Sequence, residues 1–143
     1  DTWGGLLSPS MFREFSLRWL GAIVAHVREK APGVPIILFS KGANAHLEGL
    51  ADTGCTALGV DWTIDIADAR ARVGDRVALQ GNLDPAVLAA SPGAIRAQAR
   101  AVLDGFGAHP GHVFNLGHGI TPDIAPEHVA VLVDAVHEMS RRD

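Results

Sequence analysis

The loop at residues 115–123, which reads NLGHGITPD, carries the residues whose types and spacing are best suited to chemistry. His118 stands there between two glycines and follows an apolar run at residues 112–114. Imidazole titrates near neutral pH, and flanking glycines let backbone N–H groups approach an anion and permit positive φ angles. The pattern predicts a histidine that is displayed toward a ligand. A tight turn whose histidine bonds a neighbouring carbonyl is the alternative.

Three other polar residues follow apolar runs, and each has a functional and a structural interpretation. Asp61 ends a predicted strand, so it either faces a cleft or caps and bonds its own loop. Asp84 precedes Pro85, a pairing that favours helix capping over catalysis. Lys41 could supply a cation for a carboxylate, although lysines more often lie exposed in solvent. The sequence leaves these alternatives open.

Metal binding is not expected from the histidines or the cysteine. His109, His112 and His118 are close in sequence, but strand neighbours point to opposite faces and no cysteine or carboxylate completes a chelate. Cys55 is the single cysteine, so it can form neither an internal disulfide nor a multi-thiolate site. A lone cysteine fits a reducing cytoplasm.

We predict surface positions for the histidines on predicted helices and packing roles for the tryptophans. These residues are His26, His128 and His137, and Trp3, Trp19 and Trp62. Trp3 could instead line a cleft, because it borders Thr2.

The elements that must position these residues alternate between short apolar strands and amphipathic helices. Strands are predicted at residues 35–39, 57–60, 77–80 and 112–115. A first helix, capped by Ser8 or Ser10, should run to about Lys30, and a second, near residues 45–53, should end at Gly54. Further helices are predicted near residues 66–73, 85–90, 92–105 and 126–141. The strands are continuously apolar, as in parallel sheets covered by helices on both faces. The sheet is therefore either half of an eight-stranded barrel or part of an open doubly wound sheet. The abrupt opening on residues 1–5 favours half a barrel, a fragment without its N-terminal part.

Composition excludes several classes of function. The formal charge of −4 and the pI near 5.9 give no basic surface for nucleic acid. No apolar run approaches the roughly 20 residues that cross a bilayer, and the opening residues do not predict a signal peptide. The chain has 48% hydrophobic residues, which suffices for one globular core.

Three segments resemble the uroporphyrinogen decarboxylase family. They are DTWGG at residues 1–5, LQGNLDP at 79–85 and NLGHGITPD at 115–123, the last followed by PEHV at 126–129. Their order and spacing match the family along the whole chain. The resemblance implies a (β/α)₈ TIM barrel, of which residues 1–143 are the C-terminal half of a single domain, from the end of strand 4 to strand 8 and the last helix.

The same resemblance implies a function and site residues. The family removes carbon dioxide from the four acetate side chains of uroporphyrinogen, giving coproporphyrinogen in heme biosynthesis, with no metal or organic cofactor. Its members are expected to be cytoplasmic homodimers. The family's substrate-contacting hydroxyl and histidine fall on Thr2 and His118, which we take as substrate-binding residues. The family's arginines, aspartate and tyrosine lie in its N-terminal half, so no catalytic residue is expected here and residues 1–143 alone should fold poorly and be inactive.

Two rival interpretations remain open from the sequence. Corrinoid-dependent methyltransferases related to this family hold zinc with a His-x-Cys pair after the fifth barrel strand, where this chain reads Phe39-Ser40-Lys41. Cys55 lies elsewhere, so a thiolate zinc site is hard to build. A non-catalytic tetrapyrrole-binding protein is the second rival, and turnover distinguishes it from the decarboxylase.

Overall fold

A computed structural model describes Asp1 and residues 3–141 of the chain as a parallel α/β fold. Its sheet has four strands, β1 (Ile37–Phe39), β2 (Ala57–Gly59), β3 (Ala78–Leu83) and β4 (His112–Leu116). They are hydrogen-bonded in sequence order, and every neighbouring pair is parallel. All four therefore end at one edge of the sheet, where the loops that follow them meet. The predicted parallel sheet is confirmed.

The helices lie where the apolar periodicity predicts them. They are α1 (Pro9–Phe12), α2 (Arg18–Lys30), α3 (Leu47–Ala51), α4 (Ile66–Val73), α5 (Pro92–Phe106) and α6 (Pro126–Ser140). A π-helical segment, Arg13–Leu17, joins the first two into one rod, and short 3₁₀ helices occupy Gly4–Leu6, Asn44–His46 and Pro85–Ala89. Ser8 accepts a hydrogen bond from the Met11 N–H at 3.4 Å, and so caps the rod as predicted.

The helices cover only one face of the sheet in the described chain. Leu38, Leu58 and Leu79 belong to a buried cluster with residues of α1 to α4, and a second cluster joins the end of β3 to α5 and α6. On the opposite face, Ile37 is 49% exposed and Val113 is 46% exposed. The predicted cover on both faces is therefore wrong for these residues, because continuous apolarity in a strand does not reveal what packs on its second face.

The third strand is longer than the sequence predicts. Its pairing with β4 continues to Leu83 opposite Leu116, three residues beyond the predicted end at Gln80. Gly81 hides this extension in the sequence, because glycine usually marks a loop. A β-carbon at Gly81 would lie against the Val60 carbonyl, so glycine is required by close backbone packing inside the sheet.

No helix in the described part of the chain combines the length and apolar character that crossing a bilayer requires.

Candidate functional site

His118 lies exposed just beyond the end of β4, beside residues from two other strand ends. Its ring centroid is 6.2 Å from that of Phe39, the last residue of β1, and 6.2 Å from that of Trp62, which follows β2. The Trp62 contact is edge-on, with the ring planes at 77°. The loop after β4 therefore passes over the end of β3. The exposed His118 imidazole lies against the rings of Phe39 and Trp62, which we call the aromatic floor.

The two glycines beside His118 have different roles. A β-carbon at Gly117 would lie 2.6 Å from the Trp62 backbone nitrogen, and the Gly117 N–H donates to the Leu83 carbonyl at 2.8 Å. A β-carbon at Gly119 would have no neighbour within 4 Å. Neither glycine has a positive φ, so that part of the sequence prediction is wrong. Gly117 is needed for close packing that fixes His118, whereas Gly119 borders open space.

Lys41 presents a cation to the same aromatic floor. Its Nζ lies 5.5 Å from the centroid of the Trp62 ring, within the range of cation–π attraction. Its backbone is held from both sides, since its N–H donates to the Asp1 carbonyl and its carbonyl accepts from the Gly5 N–H, both at 2.9 Å. The half-buried Lys41 side chain is thus carried by a fixed loop.

Asp61 is buried and bonds its own loops, which decides between the two sequence interpretations. Its carboxylate accepts from the Gly42 N–H at 2.5 Å, from the Thr63 N–H at 2.9 Å and hydroxyl at 2.5 Å, and from the Asn44 amide at 3.3 Å. Burial by itself would raise the pKa of Asp61, but hydrogen bonds from Thr63, Gly42 and Asn44 outweigh burial and lower the pKa. Asp61 is therefore an ionised structural anchor, and it joins the loop after β1 to the loop after β2.

Asn82 is a positioning residue that the sequence analysis missed. It is buried, and its amide donates to the Asp61 carbonyl at 3.0 Å and to the Ile64 carbonyl at 2.6 Å. These bonds hold the segment that carries Trp62. The signal in the sequence was a polar residue inside an apolar strand extension, but the glycine before it made the segment look like a loop.

The histidines do not come together as a metal site. His112 stacks on Phe106, with ring centroids 4.3 Å apart, and its Nε2 bonds the Gly81 carbonyl at 2.9 Å. Burial lowers the pKa of His112, although that bond acts in the opposite direction. No group of three or more histidine, cysteine or acidic side chains suited to a metal occurs among the described residues. Cys55 is buried in the core, where its thiol contacts the Leu50 carbonyl.

The remaining sequence predictions have mixed outcomes. Asp84 accepts from the Ala86 N–H at 2.9 Å and caps the following 3₁₀ helix, as predicted. His128 is half-buried, with Nδ1 2.6 Å from the Leu88 carbonyl, so its predicted surface position is wrong. Trp3 is 69% exposed and Trp19 is 56% exposed, which contradicts packing roles within the described chain. Thr2 lies outside the described residues.

One cavity lies away from His118, whose side chain does not line it. It has a volume of about 680 Å³, greater than that of the cavity beside Asn82, and is lined at the start of β4 by residues that include His109, His112 and Met139. A smaller cavity of about 330 Å³ lies between Trp62, Asn82 and α5. We place more weight on the strand-end cluster than on the larger cavity, because ligands of parallel α/β sheets bind at the carboxyl ends of the strands.

Comparison with known proteins connects this geometry to a family. The family model described as uroporphyrinogen decarboxylase matches residues 1–139. The chain is 59% identical over 144 aligned residues to "Uroporphyrinogen decarboxylase" of Alcanivorax borkumensis, covering 99% of this chain and 41% of the relative. It is 61% identical to the protein of the same name from Thioalkalivibrio sulfidiphilus, covering 96% of this chain and 40% of that relative.

A solved structure also resembles the fold. A methyltransferase from Methanosarcina mazei superimposes with a TM-score of 0.82 and 27% sequence identity, covering 99% of this chain and 41% of that one. The chain thus spans about two fifths of the length of the curated relatives and of the structural neighbour.

Proposed function

Since the chain belongs to the uroporphyrinogen decarboxylase family, we propose that it forms part of an enzyme that decarboxylates the four acetate side chains of uroporphyrinogen to give coproporphyrinogen. The single observation that carries this proposal is the exposed His118, held at the strand ends beside Phe39 and Trp62. It belongs to a segment that aligns with proteins carrying that name. The activity belongs to the whole protein, and this chain supplies part of its cleft.

We propose further that residues 1–143 are the C-terminal half of a (β/α)₈ barrel. Strands in sequential order with helices on a single face are the arrangement of a singly wound barrel, whereas a doubly wound sheet reverses its order and carries helices on both faces. The half-exposed Ile37 and Val113 would then face the barrel interior. An N-terminal half would pair with the outer edges of β1 and β4. A cytoplasmic homodimer is our proposal from the family resemblance.

The chemistry explains what a cleft of this kind must do. An acetate on a pyrrole loses carbon dioxide once the ring carbon is protonated, because the electrons of the breaking bond then enter a cationic ring. The protein must hold the ring, stabilise the cation and supply a proton. The resemblance assigns the group that stabilises the cation to the N-terminal half.

This chain contributes to holding the substrate. His118 can donate a hydrogen bond to a substrate carboxylate from an exposed position above Phe39 and Trp62. Thr2, by resemblance, contacts another polar group of the same molecule. Asp1 is joined to the loop after β1, since its carbonyl accepts from the Lys41 N–H at 2.9 Å, and its carboxylate accepts from the Trp3 N–H at 2.9 Å.

The experiment is turnover of uroporphyrinogen under anaerobic conditions by the full-length enzyme, followed by mass spectrometry, with and without a chelator. We expect stepwise loss of carbon dioxide that the chelator does not change. His118→Asn should lower kcat/KM about tenfold or more through the lost carboxylate contact. His26→Asn, which alters an exposed histidine of α2, is the matched control and should leave turnover unchanged. Unchanged turnover with His118→Asn would remove His118 from the site, and substantial turnover by residues 1–143 alone would contradict the division of labour between the halves.

A methyltransferase function is not favoured, although the structural neighbour has that name. The loop after β1 carries Ser40 and Lys41 where the related zinc enzymes are expected to have metal ligands. Cys55 is buried in the core, 3.7 Å from the Leu50 carbonyl through its sulfur, and does not reach the strand-end cluster. Chelator-dependent activity would revive this alternative.

A further inference from the structure

We infer that Lys41 is a second substrate-binding residue, which holds a carboxylate of the same tetrapyrrole that His118 contacts. The inference rests on the proposed function for the identity of the ligand, but its geometry is independent of it. Lys41 Nζ lies 5.5 Å from the Trp62 ring, and the His118 ring lies 6.2 Å from that same ring. One indole thus connects a cation after β1 with an imidazole after β4.

The direction of Phe39 and the contact with Trp62 place Lys41 on the cleft side of the sheet. Successive side chains of a strand point to opposite faces. Leu38 and Ser40 are buried on the helix-covered face, where Ser40 lies beside Gly4 and Phe12. Phe39 lies on the other face against His118. Lys41 lies in the turn that follows β1, and its contact with Trp62 places its ammonium group beside the ring that His118 also contacts.

The described part of the chain offers the charge of Lys41 no carboxylate partner. Lys41 takes part in no ion pair among the described residues. Two carboxylates of the loop network already have donors, because Asp61 accepts from Gly42, Asn44 and Thr63, and the Asp1 side chain accepts from Trp3 and from the Ser16 hydroxyl. A half-buried ammonium group on a fixed loop, with an aromatic ring below it, is suited to an external anion.

The anion that fits is a carboxylate from a polycarboxylate ligand. A macrocycle with carboxylates around its rim can present one group to His118 and another to Lys41. An apolar ring system would also lie favourably against Phe39 and Trp62. Acetate and propionate side chains both end in a carboxylate, and the binding experiment below distinguishes which of the two Lys41 holds.

The test uses the full-length enzyme with Lys41→Met, which keeps the apolar stem and removes the charge, and Lys41→Arg, which keeps the charge. We expect Lys41→Met to raise KM for uroporphyrinogen about tenfold with kcat changed less than about twofold, and Lys41→Arg to restore most of the loss. The rise in KM should shrink at high salt because screening weakens the wild-type contact. Lys30→Met is the matched control, since Lys30 is exposed and pairs with Glu29 on α2. A role in folding alone would not give salt dependence or rescue by arginine.

Binding of uroporphyrin, the oxidised and unreactive analogue, separates this inference from the proposed function. Its Kd, measured by quenching of tryptophan fluorescence, should rise about tenfold in Lys41→Met. Coproporphyrin lacks the acetate groups. If Lys41→Met raises the Kd of coproporphyrin by the same factor as that of uroporphyrin, then Lys41 holds a propionate. If Lys41→Met leaves the Kd of coproporphyrin unchanged, then Lys41 holds an acetate. If the wild-type enzyme has no turnover but Lys41 still governs uroporphyrin binding, the function fails and the subsite stands. If the wild-type enzyme is active and Lys41→Met changes neither KM nor Kd, the subsite is wrong.

Discussion

Asp61 and His118 lie at the same edge of the sheet, but the protein uses them in opposite ways. Asp61 is 1% exposed, and its carboxylate accepts hydrogen bonds from three neighbouring residues. His118 is exposed, and its ring lies 6.2 Å from the rings of Phe39 and Trp62. The comparison indicates that polar groups whose bonding capacity is filled internally hold the loops in place, and we propose that groups left open at the surface bind the ligand.

We call Asp61 and the loop residues that it bonds the closed group, and His118 the open group. The closed group supports the open group through a chain of contacts. Asp61 fixes the loop after β1 through Gly42 and the loop after β2 through Thr63. Lys41 and Trp62 are the residues next to these anchors. Gly117 then packs against the Trp62 backbone and sets the position of His118. Rigid support of this kind keeps side chains near a productive geometry before the ligand arrives.

The largest expected effect comes from breaking the closed group with Asp61→Asn. The amide keeps the shape but turns one oxygen into a donor, which leaves buried N–H and hydroxyl donors without acceptors. We expect a loss of about 2–4 kcal/mol in the free energy of unfolding of the full-length protein, measured by urea denaturation. Asp68→Asn, at an exposed position in the first turn of α4, should change stability by less than about 0.5 kcal/mol. Full stability with abolished turnover would instead place Asp61 among the ligand-binding groups.

A smaller effect is expected from a change at Gly117, where the loop that carries His118 packs against the Trp62 backbone. Gly117→Ala introduces a β-carbon 2.6 Å from the Trp62 nitrogen, and the backbone must shift to accommodate it. We expect a loss of about 1–3 kcal/mol in stability and a raised KM, because His118 moves with the loop. Gly119→Ala is the matched control, since its β-carbon meets nothing within 4 Å and its φ is not positive. Thermal unfolding and kinetics of the two variants check this, and equal behaviour would show that Gly117 does not fix His118.

The sequence predicted the elements and the place of His118, because both depend on local signals. Apolar runs, capping residues such as Ser8 and Asp84, and a histidine at a strand end can be read without tertiary information. The helix end before Gly54 was predicted for the same reason, and that glycine has a φ of 82°.

The sequence could not predict contacts that depend on which loops meet. Lys41 and Trp62 are 21 positions apart, and the sequence favoured an exposed lysine and a packing tryptophan. The order of the strands nevertheless places both beside His118. Asn82 was missed because Gly81 suggested a loop, while close packing on Val60 keeps the strand intact. The choice between a cleft-facing and a loop-bonding Asp61 likewise needed its donors, which come from separate segments.

The smallest expected effect concerns an ion pair at the edge of the closed group. Glu48 on α3 accepts from Arg72 on α4 through both carboxylate oxygens, each at 2.7 Å, and Arg72 also donates to the Asn44 carbonyl at 2.8 Å. The hydrogen bond from Arg72 lowers the pKa of Glu48 from 4.5 to about 2. Since the pKa is lower in the folded state, the pair stabilises the protein fully above the unfolded pKa, and this contribution is lost as the pH falls through the folded one.

Glu48→Gln should therefore destabilise the full-length protein at pH 7 and do so less as the pH falls from about 4.5 toward 2. Both side chains are about a third to a half exposed, so solvent screening limits the loss to about 0.5–1 kcal/mol. Urea midpoints at pH 7 and near pH 3 measure the difference. Glu29→Gln removes an exposed pair between neighbours on one helix and should have little effect at either pH. An equal loss at both pH values would mean that Glu48 acts through packing, and the Asn44 loop would then owe its position to Asp61 without help from this pair.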